Sequence, residues 1–332
     1  MTGKTIVYLP NWLGDMVMAT PFLKSLRTSF KGEIWAIGKT KSISLYSGMN
    51  LFNRFIPYDG KDVISFFNIV STLKEIKFDM GLILPHSMRS ALLFYLGGVK
   101  KRIGYDRNKR GIMLTVKVKG GSYIESTVEH YLRILDTLNI ERRETNPVLT
   151  VTEDEEHKYN ERFGYAKERY VAFIPGAQYG PSKRWPISNF IKLADLICEK
   201  MGLKIYILPG KEETGLSEEI KHHVKDKNRV EIRHLDIGEL KVCLSKAVAV
   251  VSNDTGPRHI SAALSVPTFV IFGPMDERYT DYPSTCTYKF IRNIPCRPCN
   301  KKVCNKNLEC LLEITPEDVY KKMEEIIGRE KV

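Results

Sequence analysis

The sequence predicts an α/β fold built from two Rossmann-like halves, each a parallel sheet covered by helices on both faces. Three observations carry that expectation. Short β-branched runs alternate with amphipathic stretches along most of the 332 residues. The alternation pauses once, in a charged stretch at residues 141–156 containing Pro147, and then resumes. Each series opens on a strand that runs straight into a glycine-bearing loop followed by a helix.

In chain order, residues 6–9 read as a strand and 14–30 as a helix. A strand at 33–37, a helix at 62–76, a strand at 80–84 and helices at 87–96 and 127–138 complete the first half. The second half starts with a strand at 170–174. Its helix at 187–200 has Pro186 at its start and Phe190, Leu193, Ala194 and Ile197 at helical spacing. Strands follow at 204–208, 230–232, 247–252 and 268–272, with helices at 218–224, 237–246 and 257–264 between them. The last helix, 316–327, has Thr315 as N-cap and Asp318 three residues on, a capping-box pattern. Domains are expected at residues 1–160 and 161–332.

Composition narrows the functional classes. With 43% hydrophobic and 27% charged residues the chain is globular. The 51 Lys and Arg against 39 Asp and Glu give a net charge of +12, which points to an anionic partner: nucleic acid, an anionic lipid surface or a phosphorylated substrate. No run of about 20 apolar residues is present to span a bilayer. The N-terminus lacks a basic n-region and a cleavage site, so the expectation is a cytoplasmic protein whose membrane contact is peripheral. There is no Walker P-loop, GxGxxG, HExxH or GxSxG, which removes support for NTPase, dinucleotide oxidoreductase, zinc protease and serine hydrolase readings.

Four segments carry the candidate chemistry, each at the end of an expected strand. In Asn11-Trp-Leu-Gly-Asp15, Gly14 permits a tight turn and Asp15 lands at a helix start, either as a backbone cap or as a general base. In Pro175-Gly-Ala-Gln-Tyr-Gly-Pro-Ser-Lys-Arg-Trp-Pro186, two glycines precede Lys183 and Arg184 just before a helix, which suits phosphate. In Asn253-Asp-Thr-Gly-Pro-Arg-His259, the amides of Thr255 and Gly256 with the helix dipole make an anion site, and His259 lies one turn inside. Phe272-Gly-Pro274 opens a fourth loop at the same edge. Cys296-x2-Cys299-x4-Cys304-x5-Cys310 is compact enough for a structural metal site, while the more ordinary reading is a loop of free thiols or a redox-labile pair.

Together these segments resemble glycosyltransferase family nine, the bacterial ADP-heptose:lipopolysaccharide heptosyltransferases, in family order and over nearly the whole chain, most of all the heptosyltransferase II type. The resemblance implies the GT-B fold, two Rossmann-like domains facing across a central cleft, with the acceptor on the N-terminal domain and the nucleotide sugar on the C-terminal one. It implies inverting heptose transfer from ADP-heptose to the lipopolysaccharide inner core, onto the first heptose, with no cofactor or catalytic metal required. The alternatives are transfer onto Kdo, as in the heptosyltransferase I type, or another nucleotide sugar in a related GT-B transferase. By the same likeness Asp15 is the general base and Lys183 meets the donor diphosphate. Gln178, Tyr179, Asp254, Thr255, Gly256 and His259 are donor-side residues, with Glu213 and Leu235 as candidates toward adenine and ribose. Pro257-Arg258 departs from the family pattern, where smaller or apolar residues are common.

The implied acceptor is a phosphorylated lipid A–Kdo core at the inner face of the inner membrane. Acceptor-side candidates are Asn11, Trp12, Gly14, Arg89, Lys101 and Arg102. The last two belong to a basic cluster with Lys100, Arg107, Lys109, Arg110, Lys117 and Lys119. Nucleic acid is not expected, because the cations are spread over two α/β halves without a recognised binding motif.

Overall fold

A computed structural model describes residues 3–60, 62–121, 124–165 and 168–328. The chain divides into two compact units. One comprises residues 1–150 with the segment Arg278–Tyr282, and the other comprises residues 151–277 and 283–332.

The first unit is built on a six-stranded sheet: β1 (Lys4–Tyr8), β2 (Glu33–Gly38), β3 (Arg54–Pro57), β4 (Met80–Ile83), β5 (Lys101–Tyr105) and β6 (Val116–Val118). The spatial order is β3-β2-β1-β4-β5-β6, and every pairing is parallel. Ile6, Val7 and Tyr8 of β1 are all buried because β1 is central and helices cover both faces. Ile6, Ile37, Phe66, Leu73, Ile83 and Phe94 share one core. Burying each such side chain contributes roughly 1.5–3 kcal/mol.

The second unit repeats the plan with β7 (Tyr170–Ile174), β8 (Lys204–Ile207), β9 (Val230–Ile232), β10 (Ala249–Asn253), β11 (Thr268–Ile271) and β12 (Thr287–Phe290). The order is β12-β11-β10-β7-β8-β9, again all parallel. Its core joins Val171, Phe173, Phe190, Ile197, Val251 and Phe269 to Val319 and Met323 of the last helix, Pro316–Ile327. That helix carries the expected capping box between Thr315 and Asp318.

Several expectations need correction. The stretch 14–30 is two helices, Leu13–Met18 and Thr20–Ser29. Ala19 lies between them, and Pro21 restarts the helix where a missing N–H costs nothing. The charged break at 141–156 is only partly irregular. It runs into the helix Glu153–Phe163, started by a capping box of Thr152 and Glu155. The helix expected at 218–224 begins earlier and spans Thr214–His223.

A parallel sheet directs every strand's carboxyl end to one edge, and loops leaving that edge converge there. In the first unit this edge collects residues 9–15, 39–43, 58–60, 62–64, 84–89 and 106–110. In the second it collects residues 175–186, 208–213, 233–236, 254–256 and 272–276.

Candidate active site

Asp15 sits in the first turn of Leu13–Met18, directly after β1. Trp12 is the N-cap, and its side chain makes no capping hydrogen bond. The Asp15 carboxyl is partly buried, and burial pushes its pKa up to about 6. Its charge also reaches the phenols of Tyr46 and Tyr131, whose own burial is the first cause of their raised pKa values. Tyr46 is fixed by donating to the Met16 carbonyl at 2.8 Å. A carboxylate that gives up and regains its proton near neutral pH is suited to general-base work.

Around it, Asn11 and Trp12 are exposed and Gly14 is half-buried in the turn. Arg89 shares this edge, but its guanidinium is already engaged. It donates to the Tyr58 hydroxyl at 2.9 Å and to the Asp62 carbonyl at 2.7 Å, and it lies 5.0 Å over the Phe66 ring. It therefore joins the starts of the helices Val63–Ile76 and Met88–Leu96. Lys101 and Arg102 begin β5, so they lie at the amino edge of the sheet, away from Asp15. Arg102 is held there by the Met113 and Val99 carbonyls. The basic cluster is thus dispersed. Lys100 pairs with Asp79 at 2.9 Å and Lys117 with Asp106 at 2.8 Å, while Arg110 is fully buried and donates to the Tyr105 carbonyl.

The second unit assembles its site from the loops after β7 and β10. Lys183 ends a short 3-10 turn, Pro181–Lys183, and its ammonium meets Asp254 at 2.6 Å. Arg258, in the first turn of the helix Gly256–Ala263, contacts the other Asp254 oxygen at 2.9 Å. Burial alone would raise the Asp254 carboxyl. Arg258 and Lys183 outweigh it and hold Asp254 well below the usual carboxylate range. Lys183 and Arg258 thus share one buried carboxylate beside the helix N-terminus formed by Thr255 and Gly256, an end that favours anions. His259 is buried, and burial followed by the Arg258 charge lowers its pKa well below the usual value, so the ring is neutral at pH 7. The positive field therefore comes from Lys183, Arg258 and the helix end.

Long-range hydrogen bonds hold this arrangement. The buried Asn253 side chain accepts from the Trp185 amide at 3.0 Å and donates to the Pro175 carbonyl at 2.7 Å, which locks the two loops together. The Glu213 carboxylate accepts from the Ala177 amide at 2.7 Å and the Gly210 amide at 3.2 Å. It fills the space beside Gly176, where an added Cβ would lie 1.6 Å from a Glu213 oxygen. Glu213 is thus a brace of the Lys183 loop in this structure. Gln178 is exposed and Tyr179 half-buried, with the Lys183 ammonium 5.5 Å over the Tyr179 ring. Leu235 is half-buried after β9, at the same edge.

The cysteine-bearing segment has a role that its spacing did not indicate. The Asn300 carbonyl accepts from the Tyr179 hydroxyl at 2.8 Å, and the Lys301 carbonyl from the Ser182 hydroxyl at 2.5 Å. The Cys299 and Asn300 amides both donate to the Pro274 carbonyl at 3.0 Å. The segment is a strut between the loops after β7 and β11. Cys296, Cys299, Cys304 and Cys310 are free thiols. Burial, then the three other thiols, push Cys310 up to about 11. Among the described residues no group of three or more His, Cys, Asp or Glu side chains is arranged to hold a metal ion.

Comparison with known proteins identifies the family and the fold. Residues 66–309 match the family described as "Glycosyltransferase family 9 (heptosyltransferase)". The sequence is 25% identical over 348 residues to lipopolysaccharide heptosyltransferase 2 of Escherichia coli K12, covering 99% of each chain. The fold is similar to that of the E. coli ADP-heptose LPS heptosyltransferase II structure, with a TM-score of 0.86 at 22% identity over 99% of this chain and 100% of that one. It is also similar to an E. coli heptosyltransferase solved with ADP-2-deoxy-2-fluoro heptose, with a TM-score of 0.71 at 17% identity over 97% and 99% of the two chains.

Proposed function

Because the chain belongs to glycosyltransferase family 9, we propose that it transfers a heptose from ADP-heptose to the lipopolysaccharide inner core, onto the first heptose. The fold class is the expected one, α/β with two parallel Rossmann-like sheets of the GT-B kind. The donor and acceptor assignments rest on the names of the relatives, heptosyltransferase 2 among them, and on the ADP-sugar in a structural neighbour.

The observation that carries the mechanism is the pair of contrasting carboxylates. In the proposed reaction Asp15 accepts the proton of an acceptor hydroxyl. The hydroxyl oxygen forms a bond to the anomeric carbon of the heptose, on the face opposite the diphosphate. The bond from that carbon to the diphosphate oxygen breaks, and ADP leaves with the electron pair. Inversion follows because base and leaving group act on opposite faces. Lys183 and the N-terminus of Gly256–Ala263 stabilise the charge gathering on the departing oxygen. When Lys183 turns from Asp254 to the diphosphate, Arg258 keeps Asp254 paired, which avoids the roughly 3–5 kcal/mol cost of an uncompensated buried charge. Asn11, Trp12 and Gly14 line the acceptor side, and Gln178, Tyr179, Thr255 and His259 the donor side. Lys101 and Arg102 are left out because they lie at the other edge of their sheet.

The test is product analysis with ADP-heptose and two acceptors, one ending in Kdo and one already carrying a single heptose. The expected result is a second heptose on the heptosylated acceptor only. Transfer onto the Kdo acceptor instead would replace this reading by the first-heptose activity, and transfer from a UDP-sugar but not from ADP-heptose would reject the donor.

A further inference from the structure

The carboxyl edge of the first sheet leaves apolar side chains in solvent that its own core could have used. Val63 and Ile64, in the first turn of Val63–Ile76, are 66% and 75% exposed, and Phe67, one turn on, is 57% exposed. The same helix buries Phe66, Val70 and Leu73, so the exposed residues form a second apolar stripe at its tip. Because the strands are parallel, neighbouring loops bring more to this edge. Trp12 follows β1, Ile43 follows β2 and Met88 follows β4, and all three are exposed. Arg89 ties Met88 to the tip by donating to the Asp62 carbonyl.

Cations are interleaved with these groups. Lys39 and Lys41 leave β2, and burial together with the Lys39 charge lowers the Lys41 pKa. Arg107 and Lys109 leave β5 and are exposed. The acidic groups of the edge are mostly engaged. Asp62 caps its helix through the Ser65 amide, Asp106 pairs with Lys117, and Asp59 faces Lys41 and Thr40.

We propose that this rim is a docking surface for an anionic lipid bilayer. Val63, Ile64 and Phe67 enter the boundary between headgroups and acyl chains, while Lys39, Arg107 and Lys109 face lipid phosphates. An apolar ridge flanked by cations is what such a boundary binds, whereas the core of a protein–protein interface is depleted of charge. The choice of a bilayer also rests on the acceptor reading above: a lipid-anchored acceptor would reach Asp15, which opens at this same edge. Among the described residues no helix is long and apolar enough to cross a membrane, so the contact would be peripheral.

The test is cosedimentation of the full chain with phosphatidylcholine vesicles, with and without phosphatidylglycerol, compared with an Ile64→Ser/Phe67→Ser variant. Binding to the anionic vesicles, weakening with salt, is expected, and the variant should lose on the order of tenfold in partitioning. Both side chains are exposed, so the variant should keep its melting temperature and its turnover with a deacylated, water-soluble acceptor while losing activity on a vesicle-embedded one. Equal vesicle binding by the variant, or equal binding to neutral vesicles, would overturn the proposal. So would self-association that the variant abolishes, which would assign the ridge to a second copy. Vesicle binding as described, but with no heptose transfer to either acceptor, would support the docking surface and reject the functional reading.

Discussion

Two aspartates occupy equivalent places and behave in opposite ways. Asp15 and Asp254 each follow a central strand, β1 and β10, at the carboxyl edge of its sheet, just at a helix start. Asp15 is partly buried, forms no salt bridge among the described residues and is pushed up to about 6 by burial. Asp254 is more deeply buried, yet Arg258 and Lys183 hold it below the usual carboxylate range. Position in the fold is therefore not what sets the role. The first environment makes a group that exchanges a proton near neutral pH. The second makes a fixed anion that aims two cations.

The largest expected break in this comparison is Asp15→Asn, which removes the exchangeable proton site. Turnover should fall by about 10³-fold with little change in donor KM, read from steady-state kinetics with donor and acceptor varied separately. Lys183→Ala attacks the other side and should lower kcat/KM for the donor by about 10²-fold. A change confined to acceptor KM would move Lys183 out of the donor site.

Asp254→Asn should act more on stability than chemistry, because it leaves Arg258 and Lys183 buried without their anion. A loss of roughly 3–5 kcal/mol in a urea titration is expected. The pH dependences of the two sites run in opposite directions. Asp254 is lowered in the folded state, so its contribution to stability is present above the unfolded pKa and is lost as pH falls through the folded one. Asp15 is raised, so ionising it costs stability as pH climbs from about 4 through about 6. Asp15→Asn should then be more stable than the parent at pH 8, by on the order of 2–3 kcal/mol, and equal to it near pH 3. The smallest expected effect is that of Gly176→Ala. Its Cβ would displace Glu213 and loosen the Lys183 loop, raising donor KM several-fold while kcat stays within about a factor of two.

Much of the fold was legible because β1, β4, β7, β10 and β11 are buried on both faces and read as continuous apolar runs. β3, β6 and β12 lie at sheet edges and are half-exposed, so no such run marks them in the sequence. β5 is masked in the same way by Lys101 and Arg102 at its start. Asp15, Lys183 and Asp254 stand out as candidates in the sequence since each lies in a loop or turn that follows an expected strand, beside glycine or proline. The brace by Asn253, the inward use of Glu213 and the strut at Asn300 and Lys301 join residues far apart in sequence, and local pattern carries no trace of them. The basic cluster misled for a related reason. Composition shows where cations are dense along the chain, but β5 sends its two ends to opposite edges of the sheet.

The central claim is that these two carboxylates titrate apart, and carboxyl-carbon NMR of the chain between pH 3 and 8 tests it most directly. Asp15→Asn and Asp254→Asn spectra would assign the two resonances. One carboxyl titrating near pH 6 and missing from Asp15→Asn, with the Asp254 resonance flat across the range, is the predicted result. Asp15 titrating near pH 4, or Asp254 gaining a proton within the range, would contradict it.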